Sequence, residues 1–189
     1  LEWLLADAQY NHRRLAACLV LRQLALNTPT LFFAKRSDFF ERIWPVLLDS
    51  KQDTRDAAAQ ALSAGLAVLA QRPSPKHVHC YFKNYEHMQA SFERGNSDAV
   101  HGALLAVGAM LQHSGDFMVP RFDPMCDAVL NVREHPNRLL RLTVIRTLPH
   151  LAVFGPDAFA RTYLKTTVAH LVKAARPVSS HQDLRAAAL

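Results

Sequence analysis

The chain has 189 residues, half of them hydrophobic, and a formal net charge of +6 at pH 7. That apolar content is enough to bury a continuous core, which excludes an intrinsically disordered chain. No Asn-Gly or Asp-Gly pair lies between alternating apolar residues, and the uncharged stretch 57–71 is shorter than the roughly 20 residues that cross a bilayer. Composition therefore predicts a soluble, helix-rich protein.

The predicted elements, taken in chain order, begin with a helix whose pattern returns four times. The copies read RLAACLVLRQL, RDAAAQALSAGL, HGALLAVGAML, RLTVIRTLPHL and RAAAL. Small or apolar residues occupy the second and third positions after a register residue and return at the sixth and seventh, which is the spacing of one helix face. The register residues are Arg14, Arg55, His101, Arg141 and Arg185, separated by 41, 46, 40 and 44 residues.

A second apolar-periodic helix precedes several copies, at Phe39–Leu48, Phe122–Leu130 and Phe159–Val172. Two helices in every 40 to 47 residues or so are typical of HEAT repeats, in which small side chains let stacked helices approach closely. The sequence therefore predicts an all-α fold, an open α-solenoid of about five HEAT-type antiparallel helix pairs. We expect a single domain, 1–189, with approximate repeats 1–27, 28–72, 73–114, 115–155 and 156–189, the last of them incomplete.

Short turns within the pairs carry residues that can cap the next helix, at Asp49–Asp53, 96–98, 135–137 and Ser179-Ser180. The charges at Asp49, Asp53, Arg55 and Asp56 could form an active site, but the register assigns them to the repeat. We expect such charges to hydrogen-bond between neighbouring repeats. The chain also begins and ends within apolar helical patterns, which predicts a segment of a longer solenoid.

The same segments resemble a known family. The stretches LEWLLADAQYNHRRLAACLVLRQLALNTPTLFF and FFERIWPVLLDSKQDTRDAAAQAL are similar to the amino-terminal HEAT region of the target-of-rapamycin protein kinases. The later stretches HGALLAVGAML and LLRLTVIRTLPHLAVFGPDAFARTYL resemble the inner helices that follow in that family. The resemblance runs in order over nearly the whole chain and is weakest at 73–92. It departs from the family at 113–121, a short connection where relatives often carry a long insertion.

This resemblance implies an amino-terminal scaffold of a serine/threonine kinase whose catalytic domain lies outside the chain. Such a scaffold would belong to a dimeric complex in nutrient and growth signalling, cytoplasmic and recruited to the lysosomal or vacuolar membrane surface. It would dock a Raptor-type subunit and a Rheb-type small GTPase. The chain contains no Gly-rich phosphate loop, and its lysines and arginines are scattered. We therefore expect no catalysis, no cofactor and no nucleic acid partner for this segment.

One cluster, His77, His79, Cys80 and His87, is a candidate metal site. Zinc needs four ligands in a tetrahedral arrangement, whereas positions 77 and 79 point about 200° apart on a helix. The favoured interpretation is solvent-facing histidines and one buried thiol. We accordingly expect no catalytic, cofactor-binding or metal residues in this chain.

The two other cysteines, Cys18 and Cys126, lie within apolar periodic helices and are expected in the core. The phenylalanines at 32, 33, 39 and 40 have two interpretations, an exposed docking patch or core residues, and the core is favoured.

The carboxyl-terminal half carries a basic bias. It could meet an acidic partner, or it could be a solvated surface that pairs with Glu134 and Asp157, which is the favoured interpretation. The basic residues concerned are Arg138, Arg141, Arg146, Arg161, Lys165, Lys173 and Arg176.

The leading hypothesis is the kinase scaffold. The alternative is a free-standing HEAT-repeat adaptor, either a transport receptor or a basic binder of nucleic acid or acidic partners, and a third class is a metal-dependent enzyme that uses the cluster at 77–87. If the alanines after Arg55 form the stacking face, Ala58→Glu should destabilise the segment by about 3 kcal/mol.

Overall fold

The computed structural model describes residues 1–2, 10–72, 74 and 77–175. All regular secondary structure in these ranges is helical, which confirms the predicted all-α class. A 3-10 helix, Gly115–Arg121, lies between the sixth and seventh α-helices. The α-helices are α1 (Asn11–Asn27), α2 (Pro29–Ala34), α3 (Arg36–Leu47), α4 (Gln52–Ala70), α5 (Val78–Arg94), α6 (Ser97–His113), α7 (Phe122–Asn131), α8 (Arg138–Phe154), α9 (Pro156–Thr162) and α10 (Leu164–Ala175).

The inner helices are α1, α4, α6 and α8, and each of them packs on the next in chain order. The outer helices α3, α5 and α7 pack against α4, α6 and α8 respectively. This is the stacked helix-pair arrangement of an α-solenoid, and four of the predicted register residues lie on the inner helices. The fifth, Arg185, lies outside the described residues, as do Ser179, Ser180 and Arg176.

Small side chains allow the inner helices to stack closely. Ala58 on α4 and Val144 on α8, each the third residue after its register residue, are completely buried, as is Ala103 on α6, the second residue after His101. The large apolar residues one to two turns later are buried too, for example Leu66 and Leu151. Each helix therefore places one apolar face against the preceding inner helix and another against the following one.

A glycine permits a direct backbone contact between consecutive repeats. Gly102 on α6 faces the last turn of α3, and a Cβ atom at this position would overlap the carbonyl oxygen of Leu47. No residue with a side chain fits there unless the two repeats separate. Gly102 therefore sets the spacing between the repeat containing α3 and the repeat containing α6.

The predicted helix caps are correct in two turns and wrong in a third. The Asn96 side chain accepts a hydrogen bond from the Ala99 amide at the start of α6, and Asn137 accepts one from the Leu139 amide at the start of α8. Helix α4 has no side-chain cap: it begins at Gln52, after Lys51. The carboxylate of Asp49, which lies in the turn expected to cap this helix, forms a contact between repeats instead.

The outer helices are less regular than the inner ones. The segment before α4 divides into α2 and α3 at Lys35, and the segment after α8 divides into α9 and α10 at Tyr163. The short connection after α6 begins at Gly115, whose φ of 51° suits glycine, and it continues as the 3-10 helix.

Candidate functional site

The charged group around Arg55 is a buried junction between two repeats. Only 2% of Arg55 is exposed, and its Nη1 donates to the Asp49 backbone oxygen at 2.6 Å and to Asp98 Oδ1 at 2.7 Å. Its Nε donates to His101 Nδ1 at 2.9 Å. The guanidinium therefore links its own turn to the turn and register residue of the next repeat.

The same link occurs one repeat earlier. Arg14 Nη1 forms an ion pair with Asp49 Oδ2 at 2.7 Å, and the other carboxylate oxygen of Asp49 accepts from the Lys51 amide at 2.8 Å. Asp49 is buried, so its charge is compensated within the protein rather than by water. The expectation that these charges connect neighbouring repeats is correct for Asp49 and Arg55, whereas Asp56 accepts a hydrogen bond from Gln52 of its own helix.

A histidine replaces arginine at the third register position. His101 is buried, and its pKa is lowered from 6.5 to about 4, first by desolvation and then by the neighbouring Arg55 charge. Because its Nδ1 accepts a hydrogen bond from Arg55, the neutral ring carries its proton on Nε2. His101 is thus a neutral acceptor for a buried cation, and its side chain is already engaged within the junction.

At the fourth register position the contacts stay within one repeat. Arg141 Nη1 donates to the backbone oxygens of His135 and Pro136, at 2.8 and 2.7 Å, in the turn before its own helix. The register contacts therefore change along the stack. The first two register residues are arginines that pair with a carboxylate, the third is a histidine that accepts a hydrogen bond, and the fourth is an arginine that donates to backbone oxygens.

The structure separates the members of the proposed metal cluster. His77 packs edge-to-face on Phe33, with ring centroids 5.5 Å apart, whereas His87 stacks on Trp44 at 5.1 Å. The expectation of solvent-facing histidines is wrong for His77, which is buried because α5 begins against α2.

His79 and His87 are exposed, as expected. Cys80 was expected to be buried and is only half-buried. Burial raises the pKa of the Cys80 thiol. Within the described ranges, no three His, Cys, Asp or Glu side chains lie close enough together to hold a metal ion.

The remaining cysteines are core residues, as predicted. Cys18 and Cys126 are completely buried, and burial raises the pKa of each thiol to about 12. Nearby carboxylates, Asp49 for the first and Asp123 for the second, act in the same direction. A thiol that stays protonated and inaccessible is not a nucleophile at neutral pH.

The predicted phenylalanine patch is divided by the fold. Phe32, Phe39 and Phe40 are buried and pack edge-to-face on one another, as expected for core residues. Phe33 differs: it is half-buried beneath two arginine side chains.

Three of the basic residues in the described part of the carboxyl-terminal half have different surroundings. Lys173 pairs with Glu134 at 3.1 Å, as one interpretation expected. Arg161 donates to the Asp157 backbone oxygen rather than to its carboxylate. Arg146 lies apart from these on α8, in a groove of the inner surface that it shares with Asp56 of α4.

One further arginine was missed by the sequence reasoning. The Arg121 guanidinium lies over the rings of Phe117, Phe82 and Tyr85, at 3.9, 5.1 and 5.4 Å, and donates to the Phe117 backbone oxygen at 2.6 Å. These contacts fasten the 3-10 helix to α5. The residues are up to 39 positions apart, so no local pattern could have revealed them.

The exposed apolar side chains are the features of the surface that are suited to protein contacts. They occur on α1, on the outer surface around α5 and the 3-10 helix, and on α10. They include Leu19, Val20, Leu26, Phe82, Val119, Leu164, Val168 and Val172. Among the described residues, no helix combines the length and apolar character needed to cross a bilayer.

Comparison with known proteins gives a consistent set of relatives. The chain is 36% identical over 91% of its length to a protein of Oryza sativa subsp. japonica, and 35% identical over 93% to one of Arabidopsis thaliana, both named serine/threonine-protein kinase TOR. It is 32% identical over 90% of its length to the corresponding kinase of Schizosaccharomyces pombe. No family model matches the chain.

The chain spans about 7% of the length of these relatives. In its described ranges the chain has only helical regular secondary structure, and its buried charges connect successive helix pairs. The plant and fission yeast relatives match nine-tenths of the chain at about one identity in three. The chain is therefore homologous to one helical segment of the target-of-rapamycin serine/threonine kinase family.

Proposed function

We propose that this chain is part of the amino-terminal HEAT-repeat scaffold of a target-of-rapamycin-type serine/threonine kinase. Its role is mechanical: stacked helix pairs bury a continuous core and present an extended surface to partner subunits. The observation that carries the proposal is the likeness to these kinases over nine-tenths of the chain. The buried Arg55 junction supports it, because the most conspicuous charged group of the chain is committed to holding repeats together.

The finer parts of the proposal follow from the family. The chain would be one solenoid with repeat boundaries near 27, 72, 114 and 155, and it would contribute no catalytic, cofactor-binding or metal residue. The whole protein would carry its kinase domain elsewhere and act in nutrient and growth signalling as a dimeric, cytoplasmic complex at the lysosomal or vacuolar surface. Its partners would include a Raptor-type subunit and a Rheb-type GTPase.

The test is made in the full-length protein, with a charge placed inside or outside the stack. Ala58→Glu puts a carboxylate at a completely buried position of α4, whereas Gln60→Glu puts one at an exposed position two residues away. We expect Ala58→Glu to abolish co-purification of the Raptor-type subunit, while phosphorylation of a short peptide continues because the catalytic domain lies elsewhere. Gln60→Glu should change neither.

Three results would contradict the proposal. A full-length polypeptide without a kinase domain would favour the free-standing adaptor. If Ala58→Glu abolished both peptide phosphorylation and binding of the subunit, the segment would be needed for catalysis itself. Equal effects of Ala58→Glu and Gln60→Glu would show that stacking of the inner helices is not what organises the complex.

A further inference from the structure

Two arginine guanidiniums lie over one half-buried aromatic ring near the start of the solenoid. Phe33 is in α2, and the guanidinium carbons of Arg36 and Arg72 lie 4.1 and 4.6 Å from its ring centroid. The two charges are therefore within about 9 Å of each other, although they come from the start of α3 and from the residue that follows α4 by two positions. The fold brings together two like charges, which repel each other unless something compensates them.

Each of the two guanidiniums donates a hydrogen bond to an uncharged group. Arg36 Nη1 donates to the Phe33 backbone oxygen at 2.9 Å, and Arg72 Nη2 donates to the Thr30 hydroxyl at 3.0 Å. Neither arginine forms an ion pair with a carboxylate of the described residues, in contrast to Arg14 and Arg55, each of which pairs with an aspartate at 2.7 Å. Arg36 and Arg72 thus retain N–H donors and two positive charges that are available to a group outside the described chain.

A third nitrogen-bearing side chain borders the same ring. His77 contacts Phe33 and is buried, and its Nδ1 has no hydrogen-bond partner among the described residues. Burial lowers the pKa of His77, and the Arg36 charge lowers it further, while a hydrogen bond with the Leu69 backbone acts in the opposite direction. His77 also lines a cleft of about 620 Å³ together with Ser74 and Asp116.

We propose that Arg36 and Arg72, held on Phe33, bind a phosphorylated serine or threonine side chain of a partner protein. A phosphate monoester carries about −1.5 to −2 charges at neutral pH, which matches two guanidiniums, whereas a carboxylate carries one. Guanidiniums are also permanently charged and offer paired N–H donors to phosphate oxygens. Stacking on Phe33 positions both cations before the ligand arrives, which lowers the entropy cost of binding.

The isolation of the pair favours a phosphoprotein over a nucleic acid. A nucleic acid presents a continuous row of phosphates and is bound by a basic track, whereas the other basic residues with described contacts engage carboxylates, backbone oxygens or rings elsewhere. This inference concerns the chain itself and does not depend on the scaffold role, so either can fail without the other.

The binding test uses the 189-residue chain, labelled with ¹⁵N so that the arginine Nε–H signals can be followed by NMR. The probe is a short Gly-Ala peptide with one phosphoserine, compared with the same peptide containing serine or glutamate. We expect the phosphoserine peptide to shift the Nε–H signals of Arg36 and Arg72, and the serine peptide to leave them unchanged. The Arg36→Gln/Arg72→Gln variant should bind the phosphopeptide at least about tenfold more weakly, since it loses hydrogen bonds to a charged group.

Matched variants separate binding from stability. Arg161→Gln removes one exposed guanidinium on α9 and should bind as the unchanged chain does. Arg72→Lys keeps the charge but loses the planar donor pair, so it should bind about threefold to tenfold more weakly while keeping the far-ultraviolet circular dichroism of the unchanged chain. This single variant decides the question if the double variant does not fold.

Several results would overturn the inference. Equal binding of the serine and phosphoserine peptides would exclude phosphate recognition. If Arg161→Gln weakened phosphopeptide binding as much as the Arg36→Gln/Arg72→Gln change does, the effect would come from general surface charge. Tighter binding of a single-stranded oligonucleotide than of the phosphopeptide, weakened by the same Arg36→Gln/Arg72→Gln change, would assign the pair to nucleic acid instead.

Discussion

Replacing Arg55 tests whether the buried junction stabilises the stack by satisfying polar groups or by charge attraction. Arg55→Met keeps most of the side-chain volume but removes the donors to the Asp49 backbone oxygen and to His101 Nδ1, both of which belong to buried residues. Each buried acceptor left without a partner costs roughly 1–3 kcal/mol. The third acceptor, Asp98, has a side chain that is 39% exposed and regains water at little cost. We therefore expect Arg55→Met to lower the free energy of unfolding by about 3 kcal/mol.

The control removes the ion pair and leaves the buried acceptors satisfied. Asp98→Asn abolishes the charge attraction to Arg55 and should cost only about 0.5–1 kcal/mol, as partly exposed pairs do. Urea unfolding of the chain, followed by far-ultraviolet circular dichroism, measures both values. A cost for Asp98→Asn equal to that of Arg55→Met would show that Coulomb attraction dominates, and a cost below about 1 kcal/mol for Arg55→Met would refute the argument from buried acceptors.

Three further predictions concern the spacing, pH response and thiols of the stack. Gly102→Ala forces the repeats apart and should cost about 1–3 kcal/mol in urea unfolding, whereas Gly108→Ala on the same helix meets only a movable side chain and should be neutral or stabilising by up to about 1 kcal/mol. The pKa of His101 is lowered to about 4, so the unfolded chain binds more protons between pH 4 and 6.5, and stability should rise with pH across that window by at most about 1.4 kcal/mol per pH unit. His101→Gln should reduce this slope, and an unchanged slope would show that other groups carry it. Cys18 and Cys126 should react with a thiol reagent at neutral pH only after urea unfolding, and rapid labelling of the folded chain would show that their helices open readily.

The inner helices could be predicted because their determinants are local. Ala57 and Ala103 both lie at the second position after their register residues, and both are buried. A small residue repeated at such a position has one simple physical use in a helical protein, which is close packing of helices. The relatives then placed the segment in a family that the quoted stretches already resembled.

The sequence predicted that charged residues would link neighbouring repeats, but it did not predict which residues would pair. The turn Asp49–Asp53 was expected both to cap the next helix and to link neighbouring repeats, and the sequence did not say which role Asp49 would take. Its actual partner, Arg14, is 35 residues away in the sequence. Choosing between the two roles requires the relative position of two helices, which no short window of sequence contains.

The surroundings of Phe33 show the same limit more strongly. His77 was expected in solvent, but α5 begins against α2 and buries it. The Arg36 and Arg72 side chains meet over one ring only after three elements have packed. The break between α2 and α3 also falls at a lysine, Lys35, with no glycine or proline there to mark it in the sequence.

The backbone contact at Gly102 acts as a fixed pivot between two repeats. Side-chain interfaces can be widened or tilted by substitution, but a glycine pressed against a carbonyl leaves no side chain to exchange. Any small rotation about this point is carried outward by every helix pair stacked beyond it, so that its effect on position grows with distance along the solenoid. One residue without a side chain thereby constrains where the helix pairs on either side of it lie.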